Sequence, residues 1–435
     1  MTAPAPSPDD IWALELAKAR QAAGPDVPFG GGFWPAALLG IAAWARTLLF
    51  TPPGDPLPDV PMVAAMHGEI SNRTRHLIAA LASGRPDAPI LLLGRPQLER
   101  AAFRQALSQA GVTGPLVRPF DMASALAALP AIMRRLAEGA RHVGAADWRP
   151  AARDLAAICF RVMLGETHAR WVARHAPQGP RTVVFGHTGV ADSHLLERAL
   201  QARGARTVHW VHGVSLGLNF VAGSDLGLFQ CGSDARWHQA LGGYGQAASL
   251  PAEPPAPAAG GEGWLVLSNL VHPMNAEFRR HGVAGEAALL EAVAAAAGAG
   301  RKVWKPHPIL DSLDPSVRQA IEARAAALGF SRWPAADGLA RAAEFGVVVA
   351  TPSTVALDVL KLGVLPVLFG GGGLDPASAL AQLPLKADSA AGLTAAAACQ
   401  IAARADLFAA AWTAIAPGRA PTLAELAALA RSDVP

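Results

Sequence analysis

The 435-residue chain is 51% hydrophobic and 16% charged, which supports two or three buried cores and excludes a largely disordered chain. Its formal charge of +3 excludes the large basic footprint of a nucleic-acid binder. Three widely spaced cysteines, Cys159, Cys231 and Cys399, exclude a disulfide framework or a cysteine-rich zinc module and fit a reducing compartment.

The first residues, MTAPAPSPDDIW, lack the basic and apolar regions of a secretory signal. Residues 33–50, FWPAALLGIAAWARTLLF, are apolar but interrupted by Pro35 and Arg46. That favours a helix on the protein's own core, or one lying in a membrane interface with Trp34 and Trp44 at headgroup depth, over a spanning helix. Residues 1–55 are read as a helical segment. The expected location is cytoplasmic, with peripheral contact to the inner membrane face through 33–50.

From 56 to 250, short apolar runs alternate with helical patterns. Strands are expected at 62–66, 90–93, 182–185, 207–211 and 226–230. Helices are expected at 74–82, 99–110, 122–139, 149–175 and 193–203. The first strand runs into His67-Gly-Glu69 and a helix. A carboxylate there stays ionised near a helix start and could take a proton from a hydroxyl. It could equally be an ordinary first-turn acid. His187 and His212 also follow strands, and Asp192 is a rival base. Seven of the 13 histidines lie between His168 and His238, but His209 and His212 fall on opposite faces of a strand, so no metal site is expected.

Residues 251–262, rich in Pro, Ala and Gly, read as a linker. From 263 to 390 the pattern resumes, with strands at 264–267, 302–305, 346–350 and 365–369 and helices at 285–297, 315–328, 338–344 and 355–362. Residues 391–435 read as one or two helices. The expected architecture is α/β: two doubly wound, Rossmann-like parallel sheets facing a central cleft. P-loop and G-x-G-x-x-G patterns are absent.

The strongest motif is RKVWKPHP at 301–308, a strand ending in a turn stiffened by Pro306 and Pro308. Lys305 and His307 could donate to a phosphate there, or His307 could serve as a turn cap. Some 40 residues later a strand leads to Thr351-Pro-Ser353-Thr354 and a helix, which suits an N-cap or an anion site. Asp358 follows one helical turn on, and Gly370–Gly373 close the next strand.

Residues 263–373 resemble the nucleotide-sugar domain of the two-Rossmann (GT-B) glycosyltransferases. The His-Pro turn with its Ser/Thr loop is most similar to enzymes of cytidine-activated sugars: bacterial sialyl- and polysialyltransferases, Kdo transferases and, more loosely, CDP-glycerol transferases. That resemblance implies a nucleotide-sugar co-substrate, CMP-linked in the first instance, no resident cofactor or metal, and Ser268 and Asn269 facing the leaving phosphate. Lys305, Pro308, Thr351, Ser353, Thr354 and Asp358 complete the donor set, with His307 catalytic. MVAAMHGEISNRTRHLIAAL resembles the strand–Gly-Glu–helix element of lipid A Kdo transferases, which implies Glu69 as catalytic base. The His-Gly pair at 212–213 resembles an element of capsule and lipopolysaccharide transferases. His67, His187, Asp192 and His212 become acceptor contacts, and the acceptor a hydroxyl of a bacterial surface glycan or glycolipid. The chain departs from the Kdo family in its start and in the helix-rich stretch at 122–175. A CDP-glycerol or UDP-sugar transferase, a sugar-nucleotide epimerase or hydrolase, and a non-catalytic binding protein are the alternatives.

Overall fold

The computed structural model describes residues 7, 9–23, 32–50, 55–67, 72–93, 101–146, 148, 150–179, 181–215, 218, 221–271, 283–334, 337–371 and 374–431. The first sheet contains β1 (Met62–His67), β2 (Ile90–Leu93), β3 (Leu116–Val117), β4 (Arg181–Phe185), β5 (Ala205–Trp210), β6 (Leu226–Phe229) and β7 (Gln246–Ser249). Its order is β3-β2-β1-β4-β5-β6-β7, and every pairing is parallel. The second contains β8 (Trp264–Leu267), β9 (Lys302–Lys305), β10 (Phe330–Arg332), β11 (Val347–Ala350), β12 (Val367–Phe369) and β13 (Lys386–Ala387). Its order is β10-β9-β8-β11-β12-β13, again all parallel. In both sheets the strand order reverses beside the first strand, at β1/β4 and at β8/β11. Ligands of doubly wound sheets bind at such points.

The central strands are buried on both faces, which is why they appear as unbroken apolar runs. Along β1 the faces alternate. Ala64 and Met66 join Leu77 and Leu81 on one side of the sheet, and Val63 and Ala65 join Trp171 and Leu196 on the other. Each large apolar side chain buried this way contributes roughly 1.5–3 kcal/mol. The second domain has one continuous core around Leu265, Trp304 and Val348.

Residues 122–175 form two long helices, Met122–Ala145 and Ala152–His175. Asp121 caps the first, accepting from the Ser124 amide at 2.6 Å, and also bonds His175 at 2.8 Å. The second is buried along its middle because the helix Ala191–Gln201 packs on one side and the helix Phe33–Phe50 on the other. Gly165 permits the first approach: a Cβ there would meet the Ala191 carbonyl oxygen at 2.9 Å.

The 251–262 stretch is a strap rather than a tether. The Ala258 amide donates to Gly363 O at 2.8 Å, and Arg404 donates to Ala259 O and Gly346 O, both at 2.8 Å. The final helix, Leu423–Arg431, returns to the first domain and places Leu423 and Leu426 in its core.

Candidate active site

Three of the four acceptor-side candidates, His67, His187 and Asp192, lie at the first switch point, and His212 lies past the end of β5. His67 ends β1 and His187 lies just past β4, and their rings are 4.9 Å apart. Asp192 lies five residues after His187, in the first turn of the helix Ala191–Gln201, and is buried. Burial pushes its carboxyl up to about 6, against the pull of Arg161. His168, buried close by, is pushed down to about 3 by desolvation, and the charge of His67 adds to the effect. Glu69, two residues beyond His67 in the sequence, lies outside the described residues.

The N-terminal helix Ile11–Ala23 reaches over this end of the sheet. Glu15 pairs with Arg161 at 2.9 Å, and Lys18 donates to the carbonyls of Gly189 and Val221. Burial lowers the Lys18 ammonium to about 8. A lone lysine in an otherwise alanine-rich helix was the available signal, but the sequence does not reveal what it meets 171 and 203 residues away.

On the donor side, Lys305 ends β9 and is half-buried, and desolvation holds its ammonium below the ordinary lysine value. His307 accepts the Ile309 amide on Nδ1 at 3.2 Å, so in the neutral ring the proton sits on Nε2. Pro308 opens the short 3-10 turn Pro308–Ser312. Asn269 and Thr351, from the ends of β8 and β11, hold each other. The Asn269 amide donates to Thr351 Oγ1 at 2.9 Å, Thr351 Oγ1 lies 2.8 Å from Asn269 Oδ1, and Asn269 Nδ2 donates to Pro352 O at 3.0 Å. Ser353 turns its hydroxyl back to Thr351 O at 3.2 Å and does not cap the helix Thr354–Leu360.

Ser268 is turned inward: its hydroxyl donates to the buried Glu286 at 2.5 Å, and Trp304 Nε1 donates to the same carboxyl at 2.7 Å. Burial pushes Glu286 up to about 7, from an ordinary value of 4.5. Below pH 4.5 the folded and unfolded chains both hold this proton. Between 4.5 and 7 only the folded chain does. The group's contribution to stability is therefore full in acid and falls as pH rises, by on the order of 3 kcal/mol. Glu286→Gln, which mimics the protonated acid, is expected to flatten the pH dependence of urea unfolding between pH 5 and 8. An unchanged slope would contradict this origin.

The two sets meet. The Val214 amide, past the end of β5, donates to Thr354 Oγ1 past the end of β11, at 3.4 Å. The carboxyl ends of the two sheets therefore face each other. Lys361, beside Asp358, donates to Gln230 at 3.4 Å. Gln230 bonds His212 at 3.2 Å, and the His212 ring lies 4.2 Å from that of His76. Burial raises the Asp358 carboxyl, and Lys361 partly offsets this. Asp234, buried in the first domain, accepts the Ser215 amide at 2.8 Å and the Ala379 amide of the second domain at 2.9 Å.

The sequence GVSLG at 213–217 fits the nucleophile-elbow pattern G-x-S-x-G. Ser215 Oγ lies 2.7 Å from His238 Nε2. Both residues are fully buried, and His238 Nδ1 has no hydrogen-bond partner among the described residues. Burial holds the imidazole down at about 3. Among the described residues no carboxylate orients this histidine, and the serine is buried, so the pair does not have the geometry of a hydrolase triad. The buried thiols of Cys159 and Cys231 are pushed up to about 12 and are poor nucleophiles.

No family model matches the chain, and no curated protein does. Among solved structures, HepE of Anabaena in complex with UDP matches with a TM-score of 0.45 and 11% identity, over 82% of this chain and 93% of that one. MurG of Acinetobacter baumannii matches with a TM-score of 0.46 and 12% identity, over 86% and 99%. Likeness at that level leaves the chemistry to this chain's own residues.

Proposed function

We propose that the protein is a glycosyltransferase that moves a sugar from a nucleotide-activated donor on the second domain to a hydroxyl of an acceptor on the first. The observation that carries this is the meeting of two doubly wound sheets by their carboxyl ends. One switch point carries His67 and His187; Lys305, the last residue of β9, and His307, just past it, lie at the end of the strand next to the other. In the proposed reaction the acceptor oxygen attacks the anomeric carbon as the bond from that carbon to the phosphate oxygen breaks. The hydroxyl proton passes to Glu69. Lys305 and His307 stabilise the charge growing on the departing phosphate, a contribution largest in a dry cleft.

The His-Pro turn and Ser/Thr loop make a CMP-linked acidic sugar, of the Kdo or sialic-acid kind, the first donor to test. A UDP-linked sugar is the second. The acceptor is proposed to be a bacterial surface glycan or glycolipid. The test is nucleotide release from each donor with and without an acceptor extract. Release that requires acceptor, with the sugar recovered on it, supports transfer. Release at the same rate without acceptor would make the protein a hydrolase and overturn the reading.

A further inference from the structure

Two neighbouring helices share an uncovered apolar face. Helix Phe33–Phe50 buries Phe33, Ala36, Ala37, Gly40, Trp44 and Thr47. It packs so closely on helix Ala152–His175 that a Cβ on Gly40 would lie 2.9 Å from Cys159 Cβ, and Trp44 Nε1 donates to Thr167 at 3.1 Å. Its other side leaves Trp34, Leu38, Leu39, Leu49 and Phe50 between 54% and 73% exposed. The adjoining helix Met122–Ala145 exposes Met122, Leu126, Leu129 and Met133 at helical spacing. Nine of the eleven exposed large hydrophobic residues among those described lie on these two helices, so this is a face and not scatter.

The charge on the two helices is mostly positive. Helix Phe33–Phe50 has no acid, and its one charge, Arg46, is exposed. On Met122–Ala145, Arg134 and Arg141 are exposed and make no ion pair among the described residues. Its one acid, Glu138, is held by Arg135 at 3.1 Å.

We propose that this face docks on an anionic lipid bilayer, as an interfacial surface and not a span. The packed inner side of helix Phe33–Phe50 argues against a span, because spanning would strip Trp44 from Thr167. A second copy of the chain is disfavoured because a two-fold contact through Met122–Ala145 would set Arg134 and Arg141 against their own copies, while the one acid of that helix, Glu138, is held by Arg135. Gly165 of the supporting helix abuts Asp192, so the bilayer would lie one helix away from the acceptor side of the cleft.

The test is flotation of the full chain with phosphatidylcholine vesicles, with and without phosphatidylglycerol. Binding is expected only to the anionic vesicles, weakened about fivefold by Arg134→Gln and abolished by Leu126→Glu with Met133→Glu. Circular dichroism melts check that these exposed substitutions leave the fold intact. Absence of binding, equal binding of the folded variants, or a dimer in solution that Leu126→Glu dissociates would each overturn the proposal. The readout needs no sugar donor, so its failure leaves the transfer reaction untouched.

Discussion

Glu69→Gln is expected to lower turnover by about 10²–10⁴-fold while leaving donor affinity within twofold, the size of effect that follows loss of a positioned general base. The residue follows His67 by two positions, and His67 stands at the first switch point with its ring 4.9 Å from that of His187. Asp192 is the competing base. Burial raises its carboxyl to about 6, which suits proton transfer near neutrality, but its side chain is closed off from the cleft. Steady-state kinetics of Glu69→Gln and Asp192→Asn, together with donor titrations, separate the two. Retained turnover in the first with loss in the second would move the base to Asp192.

The second large effect is expected on the donor. Lys305→Met should weaken nucleotide binding by about 1.5–3 kcal/mol, roughly ten- to hundredfold, if the ammonium donates to the phosphate. His307→Ala should cost a similar amount and should do so through Nε2, since Nδ1 already accepts the Ile309 amide. Burial lowers the Lys305 ammonium before binding, and a bound phosphate would raise it again. Donor affinity should therefore decline toward alkaline pH in the parent, and this dependence should vanish in Lys305→Met. Isothermal titration across pH measures both. Unchanged affinity in both variants would return the turn to a structural role.

The central strands were legible because burial on both faces leaves an unbroken apolar run, as in MVAAM and ILLL. The edge strands β3, β7, β10 and β13 were not, because two to four residues such as Leu-Val or Gln-Ala-Ala-Ser carry no such run. The helix Gly232–Ala240 was also missed, for want of a strong apolar period, and Ile11–Ala23 lies within the segment 1–55 read as helical but had no bounds of its own. At the ends of strands the residue types were readable but their direction was not. Ser268 and Asn269 are adjacent, yet one hydroxyl turns in to Glu286 and the other side chain ties to Thr351 and Pro352. Asp234 looks like an ordinary first-turn acid, and only its partner Ala379, 145 residues away, shows that it links the domains. Lys361 carried a weak signal, being one of only five lysines, but its partner Gln230 is 131 residues away. The helix Phe33–Phe50 was expected either on the core or in a membrane interface. Its inner face is on the core, and its outer face is free to take the second role.

The central claim is that the cleft binds an activated sugar through its nucleotide. A thermal-shift titration with CMP, CDP, UDP, GDP and ADP tests it most directly. The account predicts that one of the pyrimidine nucleotides, at about 100 times its dissociation constant, stabilises the parent by about 2.7 kcal/mol, and that Lys305→Met loses most of that gain. CMP would point to a monophosphate-linked acidic sugar, and CDP or UDP to a diphosphate-linked donor. No shift with any of the five, in a parent that melts cooperatively, would contradict the claim.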